Sequence, residues 1–251
     1  MSLRITMNYE NVKNIGEHFG DSFYVLDVAQ FENNFDTFKT SFLKHYPKVN
    51  IGYSYKTNYT PTLCKTVNNK GGYAEVVSEM EYDLAIMIGV HPFNIIVNGP
   101  YKTRAQLEKF LLSGSSLHID SYSELNHVLE IAKDNPDNQV RIAFRCNFDI
   151  GNDVISRFGF DVESNHFFEV VNKVKNIENI SLVGLHCHFP DRNLDSYSLR
   201  AEGILKLVDK VFNDSTPEYI DIGGGYFGNL GDELKVKFGD VPSFEDYASV
   251  I

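Results

Sequence analysis

A lysine follows a short β-rich segment in Gly52-Tyr-Ser-Tyr-Lys-Thr-Asn58. We expect Lys56 to end the first strand of a parallel barrel, so that its side chain reaches the C-terminal mouth where barrel enzymes build their sites. A lysine amine that is partly desolvated there, here by Tyr53 and Tyr55, favours the neutral form that attacks an aldehyde. The sequence therefore predicts Schiff-base chemistry at Lys56, with a solvated surface lysine as the alternative.

Three consecutive glycines, Gly223, Gly224 and Gly225, follow the last predicted strand. Because glycines carry no side chain, their backbone amides can close on phosphate oxygens. Barrels commonly bind phosphate with the loops after strands seven and eight, whereas a doubly wound dinucleotide site has its glycines after the first strand. The position of the glycines favours a barrel with a phosphate site, and a mobile turn is the plainer alternative.

Two histidines, His186 and His188, end the strand before the glycine loop. Alternate side chains of a strand point the same way, so the pair could bind zinc if further ligands lay at the same mouth. No Asp or His stands at hydrolase spacing from them, and no metal is predicted. An imidazole laid on a planar aromatic cofactor is the favoured interpretation, and a histidine that only caps the barrel is the third.

Charged residues are predicted at the ends of two further strands. Glu75 and Glu81 flank Ser78 on and after the second strand, where a carboxylate could hydrogen-bond or ion-pair with Lys56. Arg145 ends the fifth strand, and an arginine in a barrel mouth usually has an anionic partner from the protein or a ligand. Surface solvation is the alternative for both carboxylates.

Short β-rich segments alternate with helix-patterned segments along nearly the whole chain, as is typical of a parallel sheet with crossover helices. A further strand is predicted outside the barrel at Phe23–Asp27, followed by a helix from Phe31 to His45. The predicted barrel strands are Asn50–Tyr55, Gly72–Val77, Asn94–Val97, Ser116–Ile119, Val140–Cys146, Ser181–His186 and Tyr219–Ile222.

Apolar stripes with helical spacing mark three of the intervening helices. Ser121 and Glu124, before the first stripe, fit a capping box in which each side chain satisfies a free backbone amide. The stripes are Leu125, Val128, Leu129 and Ala132; Phe167, Val170, Val171 and Val174; and Tyr197, Ala201, Ile204, Leu205 and Val208.

The composition restricts the partners. The chain has 251 residues, 43% of them hydrophobic, and its net charge of −11 opposes binding to a phosphate backbone. Its three cysteines are too few for a disulfide framework, which favours a reducing cytoplasm. No apolar run approaches the roughly 18 residues needed to cross a bilayer. We expect a cytoplasmic globular protein that binds neither nucleic acid nor membrane.

Six segments, in order, resemble the motifs of the fold-type III pyridoxal-phosphate-dependent decarboxylases, the ornithine/diaminopimelate/arginine decarboxylase family. They cover about residues 20–250, and together they are far more specific than any one alone. Residues 53–58 resemble the family's Y-A-x-K-A-N, 75–81 its D-x-x-S-x-x-E, 118–125 its V-D-S-x-x-E-L, 156–159 its S-K-F-G, 184–188 its G-x-H-x-H and 220–225 its D-x-G-G-G.

The resemblance implies a TIM-type (β/α)8 barrel of the alanine racemase-like class that binds pyridoxal 5′-phosphate and forms a homodimer in the full-length enzyme. Lys56 would hold the cofactor as a Schiff base, Glu75 would lie near that lysine, and His188 would stack on the pyridine ring. The substrate would be an amino acid such as ornithine, lysine, arginine, diaminopimelate or carboxynorspermidine, decarboxylated in amino-acid or polyamine metabolism. The other cofactor-binding residues would be Gly223, Gly224, Gly225, Arg145 and Ser78.

Two departures from the family pattern stand out. The family follows its second histidine with x-G-S, whose serine contacts phosphate, but this chain has Phe189-Pro-Asp-Arg192. Asp191 would repel phosphate there unless turned away, and Arg192 could substitute for the serine. The chain also stops at Ile251, before the family's E-P-G-R strand and C-terminal β-domain. We therefore expect residues 1–20 to be an N-terminal extension and 21–251 a cofactor-binding barrel lacking its eighth strand, inactive alone.

Other functions stay open within the same barrel class. A single-domain pyridoxal-phosphate homeostasis protein fits the length, and an amino-acid racemase is a further possibility. A zinc-dependent barrel hydrolase that uses His186 and His188 is a distant alternative. The order of the motifs favours the decarboxylase.

Overall fold

The structure is a computed structural model that describes residues 8–151, 156–213, 215–228, 230–238 and 241–251. Its strands are β1 (Gly52–Ser54), β2 (Tyr73–Val76), β3 (Ile95–Val97), β4 (Ser116–Ile119), β5 (Val140–Asn147), β6 (Phe160–Asp161), β7 (Ile180–His186) and β8 (Tyr219–Asp221). Its helices are α1 (Tyr9–Phe19), α2 (Val28–Leu43), α3 (Pro61–Asn69), α4 (Glu79–Met87), α5 (Arg104–Leu112), α6 (Tyr122–Asp134), α7 (Asn165–Lys175), α8 (Leu194–Phe212), α9 (Asp232–Phe238) and α10 (Phe244–Val250), and a short 3₁₀ turn spans Pro92–Asn94.

The strands form one curled parallel sheet in the order β1-β2-β3-β4-β5-β7-β8, and the two-residue β6 pairs with the end of β5. Helices join neighbouring strands and cover the sheet, which is why strands β3 and β4 are buried throughout. Within the described residues β1 and β8 do not pair, so the barrel is incomplete between them. The predicted barrel class is confirmed.

Helix α10 lies where the curled sheet is open. It packs against both α2 and α8, and its Tyr247 and Ala248 are buried with Phe42 of α2. Lys44 and His45, just after α2, both contact the Glu245 carboxylate, at 2.6 and 3.0 Å. This helix therefore ties together the helices that flank the two edge strands.

All seven predicted barrel strands are present, with ends within two residues of the predicted ones. The predicted strand at Phe23–Asp27 is wrong: the segment has no regular secondary structure, it pairs with no strand of the described chain, and Tyr24 is fully exposed. Helix α2 begins at Val28 rather than Phe31 because the Asp27 carboxylate accepts a hydrogen bond from the Gln30 amide and caps the helix. Strand β6 was not predicted.

The apolar stripes of α6, α7 and α8 face the sheet as predicted, with Val128, Phe167 and Ile204 fully buried. Leu205 is a correction, since it is 50% exposed. It lies next to Ile204 on the helix, and one step of about 100° turns it away from the sheet. None of the described helices has the length and apolar character required to span a bilayer.

Candidate active site

The predicted functional residues meet at one end of the sheet because all of its strands are parallel. In the register of the sheet, Arg145 of β5 lies beside His186 of β7, and His186 lies beside Asp221 of β8. On the other side of the sheet, Ser54 of β1 lies beside Glu75 of β2. The carboxyl ends of these strands therefore form a mouth that collects side chains distant in sequence.

Lys56 lies in a turn just after β1, closed by the Thr57 amide and hydroxyl, which both donate to the Ser54 carbonyl. Its side chain is exposed, so the predicted desolvation by Tyr53 and Tyr55 is wrong. Tyr55 is buried in the core instead, and the alternation of strand side chains sends both tyrosines away from the face of the lysine. The amine is accordingly accessible to a ligand.

Lys56 and His188 both follow strands at the carboxyl end of the sheet, since Lys56 comes after β1 and His188 after β7. Burial, together with the charges of His186 and Lys56, lowers the pKa of His188 to about 4. His188 is only partly buried and is a neutral ring at physiological pH. A neutral imidazole and an accessible amine at the same mouth suit a flat, amine-reactive ligand.

Glu75 is buried, and its Oε1 atom has no hydrogen-bond partner in the part of the chain that the structure describes. Among the described residues no ion pair joins it to Lys56, so their predicted contact remains a prediction. Ser78 caps helix α4, since its hydroxyl accepts a hydrogen bond from the Glu81 amide at 3.3 Å. Glu81 in turn accepts from the Val77 amide at 2.8 Å, and burial raises its pKa. The Ser78 hydroxyl is thus engaged by the helix start, and its role toward a cofactor stays untested.

The same serine-to-glutamate arrangement recurs after β4. Ser121 caps α6 by accepting from the Glu124 amide, as predicted. Glu124 Oε2, however, accepts from the Asp120 amide at 2.7 Å rather than from the amide of Ser121. This bond fixes the backbone at the strand end, where the Asp120 side chain enters the mouth.

Arg145 finds its anionic partner within the protein. Its Nη1 lies 3.1 Å from Oδ1 of Asp120, and both side chains are at most 10% exposed. The other Asp120 oxygen accepts from the Gly159 amide at 3.3 Å, and the guanidinium lies over the Phe158 ring at 4.9 Å. Arg145 therefore anchors the loop at 156–159, and its predicted role in cofactor binding stays a prediction.

A buried ion pair beneath this loop was missed by sequence reasoning. Lys102 Nζ lies 2.8 Å from Oε1 of Glu124, and the two side chains are 3% and 6% exposed. The ammonium also donates to the carbonyls of Gly99 and His118, at 2.7 and 3.1 Å. Burial lowers the pKa of Lys102 and raises that of Glu124. Glu124 was predicted only as part of the helix cap, so its contact with Lys102 was not predicted.

A row of polar contacts leads from β3 to the glycine loop. The Asn98 side-chain oxygen accepts from the Gly99 amide, and its nitrogen lies 3.2 Å from Nε2 of His186. Nδ1 of the same ring lies 3.1 Å from Oδ2 of Asp221. The other Asp221 oxygen accepts from the Gly223 amide at 2.8 Å. Burial raises the pKa of Asp221, but His186 and this amide hold it below its usual range.

The same residues bear on whether the mouth could hold a metal ion. His118, His186 and Asp221 place possible ligand atoms within 4.8 Å of one another, and within the described residues His188 is not part of that group. His118 stacks on His186 at 4.7 Å. The zinc pair of His186 and His188, which was the distant alternative, is not assembled among the described residues, and the absence of a metal remains a prediction.

The glycine loop forms a cradle. Gly223 has φ +74°, and a Cβ there would lie 2.6 Å from the Cys187 carbonyl oxygen and 2.9 Å from Nδ1 of His188. Gly225 has φ +103°. For the amides of Gly224 and Gly225, no acceptor is recorded among the described residues. Free amides in such a turn form an anion nest. The mouth therefore offers an amine, a neutral ring and a phosphate cradle, which fit an aldehyde-bearing aromatic phosphate.

Removal of His188 tests its environment through pH. Since the pKa of His188 is about 4 in the fold and about 6.5 when unfolded, only the unfolded chain gains this proton between those values. We expect the free energy of unfolding of the protein to lose more on acidification from pH 6.5 to 4 than that of His188→Gln. Urea denaturation at several pH values measures the difference. If the free energies of unfolding of the two proteins fell in parallel over this pH range, the lowered pKa of the His188 ring in the fold would be wrong.

Similarity to known proteins extends along most of the chain. A family model described as "Pyridoxal-dependent decarboxylase, pyridoxal binding domain" matches residues 28–251. The diaminopimelate decarboxylase of Aquifex aeolicus is 29% identical in an alignment of 229 residues that covers 86% of this chain and 53% of that protein. The chain thus spans about half the length of the curated relatives it matches.

Solved structures agree in fold. The crystal structure of AQ1208 from Aquifex aeolicus is 28% identical with a TM-score of 0.77, over 95% of this chain and 56% of that one. The crystal structure of M. jannaschii diaminopimelate decarboxylase in complex with L-lysine has a TM-score of 0.80 at 22% identity, over 96% of this chain and 58% of that one. At that identity the second match supports the fold alone.

Proposed function

This chain belongs to the pyridoxal-dependent decarboxylase family through its pyridoxal-binding domain, and on that premise we propose that it binds pyridoxal 5′-phosphate at Lys56 and serves the decarboxylation of an amino acid. The observation that carries the proposal is that Lys56, His188 and the glycine loop all follow the carboxyl ends of strands in one parallel sheet, where Gly223 lies against His188. Diaminopimelate is the proposed substrate, because the curated relatives are diaminopimelate decarboxylases. The complete enzyme is proposed to be a cytoplasmic homodimer.

Lys56 would hold the cofactor, because its side-chain amine is the group that can condense with an aldehyde. Exposure of the lysine gives the aldehyde access. When bound, pyridoxal phosphate supplies the electron sink for the electrons released as the carboxylate leaves.

The other residues bind and orient. His188 is neutral at physiological pH, so its ring can lie against the pyridine without bringing a charge to it. The unpartnered Oε1 of Glu75 is a hydrogen-bond acceptor available to the lysine or to a ligand group. Gly223 permits the close approach of the loop to His188, and the amides of Gly224 and Gly225 would hold the phosphate oxygens.

Borohydride trapping tests the proposal. Incubation with pyridoxal phosphate should produce an imine absorption band, and borohydride should reduce that imine to a stable secondary amine. Peptide mass spectrometry is expected to find the label on Lys56, and Lys56→Ala should lose it. Lys65→Ala, which removes an exposed lysine of α3, is the matched control and should trap as much as the unchanged chain. A label on another lysine would refute the assignment.

Product analysis separates decarboxylation from the other activities of this barrel class. Carbon dioxide release is measured with meso-diaminopimelate, L-lysine, L-ornithine and L-arginine under saturating cofactor, and loss of optical activity with the last three. Carbon dioxide release that depends on Lys56 supports the decarboxylase. Racemisation without release would favour a racemase, and trapping without either reaction would favour a cofactor-binding homeostasis protein.

A further inference from the structure

The loop after β7 carries an arginine to the side of the glycine loop. A Cβ placed on Gly225 would lie 3.7 Å from Cγ and 3.9 Å from Nε of Arg192, and 3.9 Å from the hydroxyl of Tyr197. The Arg192 carbonyl accepts a hydrogen bond from Tyr247 of α10 at 2.6 Å, which fixes the backbone of this loop. Two donor side chains from different elements thus converge on one point of the loop.

A second arginine lies behind this point. Arg200 of α8 is fully buried, with its guanidinium 3.9 Å from the centre of the Tyr197 ring. Its Nη2 donates to the Asp191 carbonyl and to the Ser196 hydroxyl, each at 2.8 Å. Among the described residues its Nη1 has no hydrogen-bond partner, and no carboxylate there forms an ion pair with the guanidinium. A buried charge in this state is costly unless an anion compensates it.

The Tyr197 hydroxyl is a further donor beside Gly225. It is buried, the described residues offer it no well-aligned hydrogen-bond partner, and burial raises its pKa to about 12, so it stays protonated. The ring stacks on Tyr226, which follows the glycine loop, at 4.6 Å between centroids. Arg192 and the Tyr197 hydroxyl therefore lie beside Gly225, and the Arg200 guanidinium lies against the Tyr197 ring. Such a group of donors, in a chain of net charge −11, is suited to bind an anion.

From this arrangement we propose that Arg192 and Tyr197 bind the phosphate group of the cofactor, and that the buried Arg200 supplies a further positive charge from behind. Arg192 is the direct ligand, and its guanidinium can give two parallel hydrogen bonds to phosphate oxygens. Arg200 is a positioning residue, because it acts through the Tyr197 ring and the Asp191 carbonyl. The inference rests on the proposed function, since it assigns the phosphate of the ligand that Lys56 would bind.

The test compares pyridoxal phosphate with pyridoxal, which has the aldehyde and the ring but lacks the phosphate. Dissociation constants are measured from the absorbance of the imine band for the unchanged chain, Arg192→Ala and Arg192→Lys. Loss of a charge-assisted bond weakens binding by about 10-fold to 100-fold. We expect that loss for pyridoxal phosphate with Arg192→Ala, a smaller loss with Arg192→Lys, and less than about a 3-fold change for pyridoxal with either.

Arg104→Ala is the matched control, because Arg104 is an exposed arginine that pairs only with surface carboxylates of α5 and α6 among the described residues. It should bind both ligands as the unchanged chain does. Equal losses for pyridoxal and pyridoxal phosphate, or unchanged binding of both by Arg192→Ala, would overturn the inference while leaving Lys56 binding intact. If the unchanged chain bound neither ligand, the proposed function itself would fail together with it.

Discussion

Lys102→Met is expected to reduce the free energy of unfolding by about 3–5 kcal/mol, because it leaves the Glu124 carboxylate buried without its counter-charge. The pair is separated by 2.8 Å, and both side chains are at most 6% exposed. The variant also removes the donor to the carbonyls of Gly99 and His118. Urea denaturation followed by circular dichroism measures the change, with the midpoint and the slope reported separately.

A double variant shows whether the buried charge is the cause. Lys102→Met with Glu124→Gln removes both charges, while the glutamine oxygen can still accept from the Asp120 amide. We expect it to recover most of the lost free energy. Lys109→Met is the matched control: Lys109 pairs with Glu79 and Asp83 on the surface, where such pairs contribute about 1 kcal/mol at most. Equal losses from the two lysine substitutions would refute a special role for the buried pair.

Gly223→Ala is expected to cost about 2–5 kcal/mol of folding free energy and to abolish tight binding of pyridoxal phosphate. The backbone at φ +74° is unfavourable for alanine, and the new Cβ would meet the Cys187 carbonyl oxygen at 2.6 Å. That oxygen cannot withdraw easily, because Cys187 is buried and its amide donates to the Asp221 carbonyl at 2.9 Å. Displacement of the loop would also disturb His188, whose Nδ1 is the next atom in contact.

Gly224→Ala separates this strain from the general loss of a glycine. Nothing lies within 4 Å of a Cβ at Gly224, so the free energy of unfolding should change by no more than about 0.5 kcal/mol. Denaturation curves and absorbance titrations of the two variants give both quantities. If Gly223→Ala unfolded at the same urea concentration as the unchanged chain, the close approach of this loop to Cys187 would be wrong.

Much of the fold could be predicted because the sequence signals are local. Strands of a covered parallel sheet are short apolar runs, and their ends are marked by polar residues such as Ser78 and Ser121, which cap the following helices. Helix faces repeat every three to four residues, so a stripe such as that of α7 indicates its buried side directly. The strand prediction failed where the local pattern does not reveal a pairing strand. Phe23–Asp27 has the residue types of a strand, but it has no neighbouring strand in the described chain.

The positions of the candidate site residues could be predicted, but the contacts of their side chains could not. Parallel strands place their carboxyl ends together, so the positions of Lys56, His188 and Gly223 follow from chain order once the strands are known. Side-chain exposure depends on what packs around it, and the exposed Lys56 departs from the expectation for that reason. Arg145 could be recognised as needing an anion, but sequence could not say that Asp120 supplies it.

The sequence by itself determined the order of strands and helices, the barrel class and the residues brought to the mouth, because these depend on periodicity and on the direction of parallel strands. Only the tertiary structure decided which charges neutralise one another. Lys102 and Glu124 are joined in the interior, whereas Arg200 is buried with its Nη1 unpartnered beside the glycine loop. The physical reason is that an electrostatic partner is chosen by distance and burial in three dimensions, and neither is written in the spacing of residues along the chain.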